Sequence, residues 1–113
     1  MAKFTFFEVS SGVFNNEQTG QVVSYDNVSL MFTKRVNRKN MIGEKGELYS
    51  VPVNDIPYLF GEDVKFPGPV GDDYSRRVEA VVEFLKPYIG KQCVVEQIKK
   101  KDRDIITYVE FES

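Results

Sequence analysis

The sequence predicts an all-β domain carrying one helix, in the order β-β-β-α-β-β. Three observations lead there. Residues 21–33 alternate with period two, the mark of a strand with one buried face. Short runs rich in aromatic and β-branched residues recur before and after that stretch. Between Asp72 and Pro87 the spacing changes to the threes and fours of an amphipathic helix. A length of 113 residues suits a single domain, 1–113, with one core.

Each element has its own signal. Residues 3–9 read as the first strand, Ser10-Ser11-Gly12 marks a bend, and Val13-Phe14 continue it. Residues 15–20 have turn composition. In the second strand Val22, Val28, Leu30 and Phe32 share one parity, while Val23, Tyr25, Asn27, Ser29, Met31 and Thr33 share the other. The even face is the predicted core, with Ser24 and Asp26 as its polar exceptions. Residues 34–46 read as a long basic loop at the tip of a hairpin, followed by a third strand at 47–53. Pro52 cannot donate to a ladder and marks an edge or an end. Residues 54–73 read as an ordered connector with one helical turn near Asp55–Phe60. Acids and Ser75 open the helix, Val78, Val81, Val82 and Leu85 form its apolar stripe, and Pro87 stops it, which bounds it at about Ser75–Lys86. The last two strands, 91–98 and 104–111, flank the charged turn Lys99–Arg103.

One amphipathic helix cannot cover both faces of an open five-stranded sheet. Curling the sheet into a small barrel, with the helix plugging one end, removes that exposure and blunts the edges. This is the five-stranded OB-fold layout, whose helix lies between strands three and four. An SH3-like barrel and an α+β sheet with one helix are the competing layouts.

The residue inventory excludes much chemistry. There is no histidine, which removes Ser-His and Cys-His catalysis and most transition-metal sites. No GxxxxGK[ST] or GxGxxG loop is present. Glu62, Asp63, Asp72 and Asp73 form the one carboxylate cluster and read as a solvated loop and helix start, not as a Mg²⁺ or Ca²⁺ site. The chain is therefore read as a non-enzyme with no catalytic residue, no metal and no cofactor. Cys93, the only cysteine, sits in the apolar run Cys93-Val94-Val95 and reads as a buried structural thiol. The opening Met-Ala-Lys-Phe-Thr-Phe-Phe lacks a long apolar leader, and no apolar run approaches the roughly 18 residues of a membrane span. A cytoplasmic location, with no membrane partner, is expected.

Charge by segment says more than the net −2. Residues 34–46 carry Lys34, Arg35, Arg38, Lys39 and Lys45 against Glu44, a net +4. Residues 47–73 hold six acids and one lysine, a net −5. Near-neutrality thus hides a basic segment beside an acidic one, and local field, not overall pI, governs polyanion binding. Aromatics reach 13%, with nine Phe and six Tyr, too many to be core filler alone. Single-strand binders combine cationic grooves with rings on which bases stack. The five cations of the basic loop are accordingly expected on phosphates, and Phe14, Tyr25 and Tyr49 under bases. Met31, on the parity of Tyr25, adds an apolar contact. Lys99, Lys100, Lys101 and Arg103 are offset by Asp102 and Asp104 and give weaker support. The competing reading of the basic loop is a soluble hairpin tip, and that of each ring is the core.

In Lys3-Phe4, in Ser11-Gly12-Val13-Phe14, and in Thr19-Gly20-Gln21-Val22-Val23-Ser24-Tyr25, the chain resembles the small OB-fold single-stranded DNA-binding proteins of phages and conjugative plasmids. A glycine turn leading into a small-polar and aromatic strand start carries the likeness. It implies largely sequence-independent binding of single-stranded DNA in support of phage or plasmid replication or transfer, in the cytoplasm of a bacterial host. It also implies a homo-oligomer, a dimer or larger. The sequence stops at Phe111-Glu112-Ser113, without the acidic tail of cellular members, so tail-mediated recruitment is not expected. The alternative function is a protein-interaction module, an inhibitor or adaptor of a phage or mobile element, using the acidic segment 62–73 with Tyr58, Phe60 and Phe66. An oligosaccharide-binding OB domain ranks third, because sugar sites rarely need a +4 loop.

Overall fold

The computed structural model describes residues 2–15, 17–67 and 73–112, and the side chains of all of these except 11–15, 22–25 and 73–75. Five strands form one antiparallel sheet: β1 (Ala2–Asn15), β2 (Val22–Arg38), β3 (Met41–Pro52), β4 (Gln92–Lys100) and β5 (Arg103–Phe111). Their spatial order is β3-β2-β1-β4-β5. Two α-helices, α1 (Ile56–Leu59) and α2 (Asp73–Leu85), lie between β3 and β4, each beside a short 3₁₀ turn.

Two expectations need correction here. The expected single helix is two. The turn expected near Asp55–Phe60 is a separate α-helix, α1, because Pro57 stands early in it, where a missing N–H costs nothing. Its end is a Schellman motif: Glu62 N–H donates to the Pro57 carbonyl at 2.8 Å and Gly61 N–H to the Tyr58 carbonyl at 3.1 Å. Gly61 takes φ +71°, and a Cβ there would stand 3.1 Å from the Tyr108 hydroxyl. The other correction is that most of the expected basic loop is strand. Lys34 pairs with Lys45, Val36 with Gly43 and Arg38 with Met41, leaving Lys39-Asn40 as the turn. Glycines at 43 and 46 read as loop markers, yet here they sit within a paired strand.

The sheet curls, and its concave face is the core. Val28, Leu30 and Phe32 of β2 are buried on the even face, as their parity predicts. Phe4, Tyr49, Val51, Cys93, Ile106 and Val109 join them from the other four strands. Val81 and Leu85 of α2 are fully buried, with Ile56 and Leu59 of α1 beside them. Most of the aromatic surplus goes into one cluster at this end. The Phe60 ring lies 5.0 Å from Tyr88, 5.1 Å from Phe111, 5.7 Å from Phe84 and 6.0 Å from Phe4, knitting both helices to β1 and β5. No ladder joins β3 to β5 among the described residues, so the sheet they form is not closed into the expected barrel by backbone hydrogen bonds.

Asp26, the polar exception on the core face, has a partner far away in sequence. The Arg77 guanidinium of α2, only 3% exposed, donates from Nε to Asp26 Oδ2 at 2.7 Å and from Nη2 to Asn54 Oδ1 at 2.9 Å. Its Nη1 donates to the Pro67 carbonyl at 2.6 Å. One side chain thus ties α2 to β2, to the turn before α1 and to the connector.

Cys93 is buried opposite Ala2, in line with its reading as structural. Burial pushes its thiol up to about 11. The proton is held more tightly in the fold than in the unfolded chain, so this contribution to stability is present below about pH 9 and is lost as pH rises towards 11. Iodoacetamide at pH 8 is expected to leave Cys93 unmodified in the native protein and to alkylate it fully in urea. Mass spectrometry reads the difference, and rapid native labelling would contradict the buried placement.

Candidate nucleic-acid interface

The register of β1 sets the geometry of one end of the molecule. β1 begins at Ala2, which stands opposite Lys34 of β2 on one side and Cys93 of β4 on the other. From those positions β2 runs on to Arg38 and β4 to Lys100, both past the start of β1. The β2–β3 and β4–β5 hairpins therefore project from the same end as two prongs. At the fork they flank the line of β1, about 10 Å apart, or two strand spacings. A hollow of about 280 Å³ lies there between Phe32, Lys34 and Tyr49 of one prong and Val94, Val95 and Gln97 of the other. The radius of gyration is 16.2 Å, against ~13 Å for a compact chain of this length, as projecting hairpins require.

Both prongs carry cations. Lys34, Arg35, Arg38, Lys39 and Lys45 are all exposed on the β2–β3 prong, and none is in an ion pair among the described residues. The pairing splits them between faces. Lys34, Arg38 and Lys45 continue the parity of the core face, Arg35 lies on the opposite face across from Glu44, and Lys39 is in the turn. Lys34 and Lys45 stand directly opposite each other, an arrangement that destabilises a hairpin unless an anion lies between or beside them. The second prong adds Lys99, Lys100, Lys101 and Arg103, also exposed, with Lys100 across from Arg103 and Lys99 across from Asp104.

The rings fare differently from their reading in the sequence. Tyr49 pairs with Leu30, which turns it inward; it is 8% exposed, with its ring 6.0 Å from Phe32. Its hydroxyl donates to Glu47 Oε2 at 2.7 Å and touches the Gln97 side-chain amide. Burial first, and then the Glu47 carboxylate, push this phenol far above its usual value. A ring held this way offers no free face to a base. Tyr25 stands opposite Gly12 and Phe14 opposite Val23 in the β1–β2 ladder, and both side chains lie outside the described residues.

A different apolar platform is present on the convex face. A register shift between Phe4 and Phe6 turns Phe6 outward, opposite Met31, which in turn stands opposite Leu48. The shift is supported by Thr5 Oγ1, which donates to the Met31 carbonyl at 3.4 Å. Phe6 is 45% exposed and Leu48 59%, and the Met31 sulfur lies 3.5 Å from where a Cβ on Gly46 would be. Residues directly opposite in antiparallel strands share a face, so Phe6, Met31 and Leu48 form one row at the base of the basic prong. The row then passes through Thr33 and Gly46 to Arg35.

The chain matches no protein-family model, no curated protein and no solved structure. The alternative surface at 62–73 keeps Tyr58, which is highly exposed, but Phe60 is buried and Phe66 packs on Phe84 at 5.7 Å. Of its acids, Glu62 and Asp63 are exposed, whereas Asp72 and the Asp73 side chain lie outside the described residues. No group of three or more His, Cys, Asp or Glu side chains comes together for a metal among the described residues. No helix among them is long and apolar enough to cross a membrane.

Proposed function

We propose that this protein binds single-stranded DNA with little sequence preference and serves the replication or transfer of phage or plasmid DNA. The observation that carries the reading is the pair of cation-bearing hairpins at one end, with Lys34 facing Lys45 across a ladder. A phosphate chain relieves that like-charge contact and the one between Lys100 and Arg103. We propose with it that the sheet is an OB-type barrel. The order β3-β2-β1-β4-β5 is that of an OB barrel opened between its third and fifth strands, with helix between the third and fourth.

In this reading Lys34, Arg35, Arg38, Lys39 and Lys45 take phosphates, as does the second prong more weakly. Bases lie against Phe6, Met31 and Leu48, with Phe14 and Tyr25 as further candidates and Tyr49 withdrawn from the stacking set. Fluorescence anisotropy with oligo-dT at two salt concentrations tests it. Tight binding at low salt that weakens steeply at high salt is expected, and no binding at low salt removes the proposal. Phe6→Ala is expected to weaken binding by about 1–3 kcal/mol, the usual value of one stacked base. Its exposed position keeps the cost to folding small, and an unchanged affinity would move the bases off this row.

A further inference from the structure

We propose that the cleft between β3 and β5 takes an extended peptide strand from a protein partner. Neighbouring strands in the sheet are antiparallel at each of four steps, so β3 and β5 run in the same direction. They are also its two edges. The curl turns those edges towards each other, and Leu48–Pro52 of β3 and Arg103–Ile106 of β5 line opposite sides of one cleft of about 430 Å³. A strand laid between them in the reverse sense is antiparallel to both, and it faces edge N–H and C=O groups that have no ladder partner among the described residues. Five residues of β3 edge span about 16 Å, room for a strand of similar length.

The lining states what the strand must look like. Buried Tyr49, Val51 and Ile106 sit on the inward side, which calls for small apolar residues at alternate positions. Exposed Leu48 and half-buried Ile105 border the outward side and favour β-branched neighbours there. Asp55 and Asp104 outweigh Arg103 in charge, so the fitting strand carries a lysine or arginine at one end. The same two carboxylates repel a phosphate chain, and a nucleic acid has no amide ladder to offer the edges. The site differs in chemistry from the cation-bearing prongs, although Leu48 and Arg103 border both, and it stands whether or not the prongs bind DNA.

The test uses the full chain, ¹⁵N-labelled, titrated with a synthetic hexapeptide of alternating valine and threonine ending in lysine. Amide signals of Leu48–Val51 and Arg103–Ile106 are expected to move together and to gain protection from hydrogen exchange. N-methylating alternate peptide amides removes one ladder while keeping every side chain, and is expected to weaken binding about tenfold or more. D55N/D104N is expected to weaken the lysine peptide about threefold and to leave an uncharged peptide unaffected. Three results would overturn the inference: unmoved signals at millimolar peptide, equal binding of the N-methylated peptide, or edges already protected in the free protein as strongly as β1 and β2. Oligo-dT binding, measured on peptide-free samples, reports on the prongs, and because Leu48 and Arg103 border both surfaces the Ser50, Val51 and Ile106 signals are the ones that report on the peptide.

Discussion

Replacing Asp26 with alanine is expected to cost about 3–5 kcal/mol of folding stability, the largest single loss the fold offers at a polar position. Arg77 is 3% exposed, and without Asp26 its guanidinium keeps only the neutral oxygens of Asn54 and Pro67. A buried charge stripped of its counterion has no water to recover. The reverse change, Arg77→Ala, leaves Asp26 with a side chain 26% exposed, which water reaches, so its cost should lie at the lower end of that range or below. Replacing both together, by D26L/R77M, should recover much of the loss, because buried ion pairs often exchange for apolar pairs at little cost. Urea unfolding followed by circular dichroism measures all three, and a loss of 3–5 kcal/mol lowers Tm by roughly 12–20 °C in a domain of this size. Costs below 1 kcal/mol for D26A would show that the clamp contributes little.

That pair also marks the limit of what the sequence makes legible. Val28, Leu30 and Phe32 alternate, and their alternation alone puts them in the core. Asp26 interrupts the same face, and nothing local explains it, because its partner is 51 residues away and is chosen by how α2 docks. The helix itself was readable from both ends, since Ser75 and the acids before it suit a start and Pro87 enforces a stop. The outer halves of β2 and β3 were not. A two-stranded prong has no buried face, so it carries no hydrophobic period, and Gly43 and Gly46 read as loop.

The candidate site was half legible for similar reasons. Charge is a property of the residue, so the five cations of 34–45 are visible without knowing the fold, and all five are exposed. Orientation is a property of register. Leu48, Tyr49, Ser50 and Val51 do not alternate cleanly, and a slip of one residue exchanges the faces. The ladder pairs Tyr49 with Leu30 and Leu48 with Met31, which buries the ring expected outside and exposes an aliphatic residue in its place. Phe6 was hidden by the register shift after Phe4, since strict alternation would have turned both rings to the same side. That the two basic hairpins share one end needs the pairings of Ala2, which no local pattern contains.

Truncating all five cations of the first prong to alanine is expected to remove most of the salt dependence of single-strand binding. Each phosphate neutralised on a single strand contributes about 0.7 to the slope of log K against log salt, so five contacts contribute about 3.5. Between 50 and 200 mM salt the parent should then lose about a hundredfold more affinity than the variant. None of the five side chains is buried, so the fold should keep its stability within about 0.5 kcal/mol. Lys34→Ala alone should stabilise slightly while weakening binding, because it relieves the contact with Lys45 that DNA would otherwise relieve. A substitution that improves folding and impairs binding is difficult to explain if the prong is only a soluble tip. The parallel variant K99A/K100A/K101A/R103A should change the slope less, since Asp102 and Asp104 already offset half of that charge. An unchanged slope in the five-alanine variant would place the DNA elsewhere. Equal effects from the two prongs would instead mean that Asp102 and Asp104 point away from the strand, which then threads the fork between Lys34 and Val94.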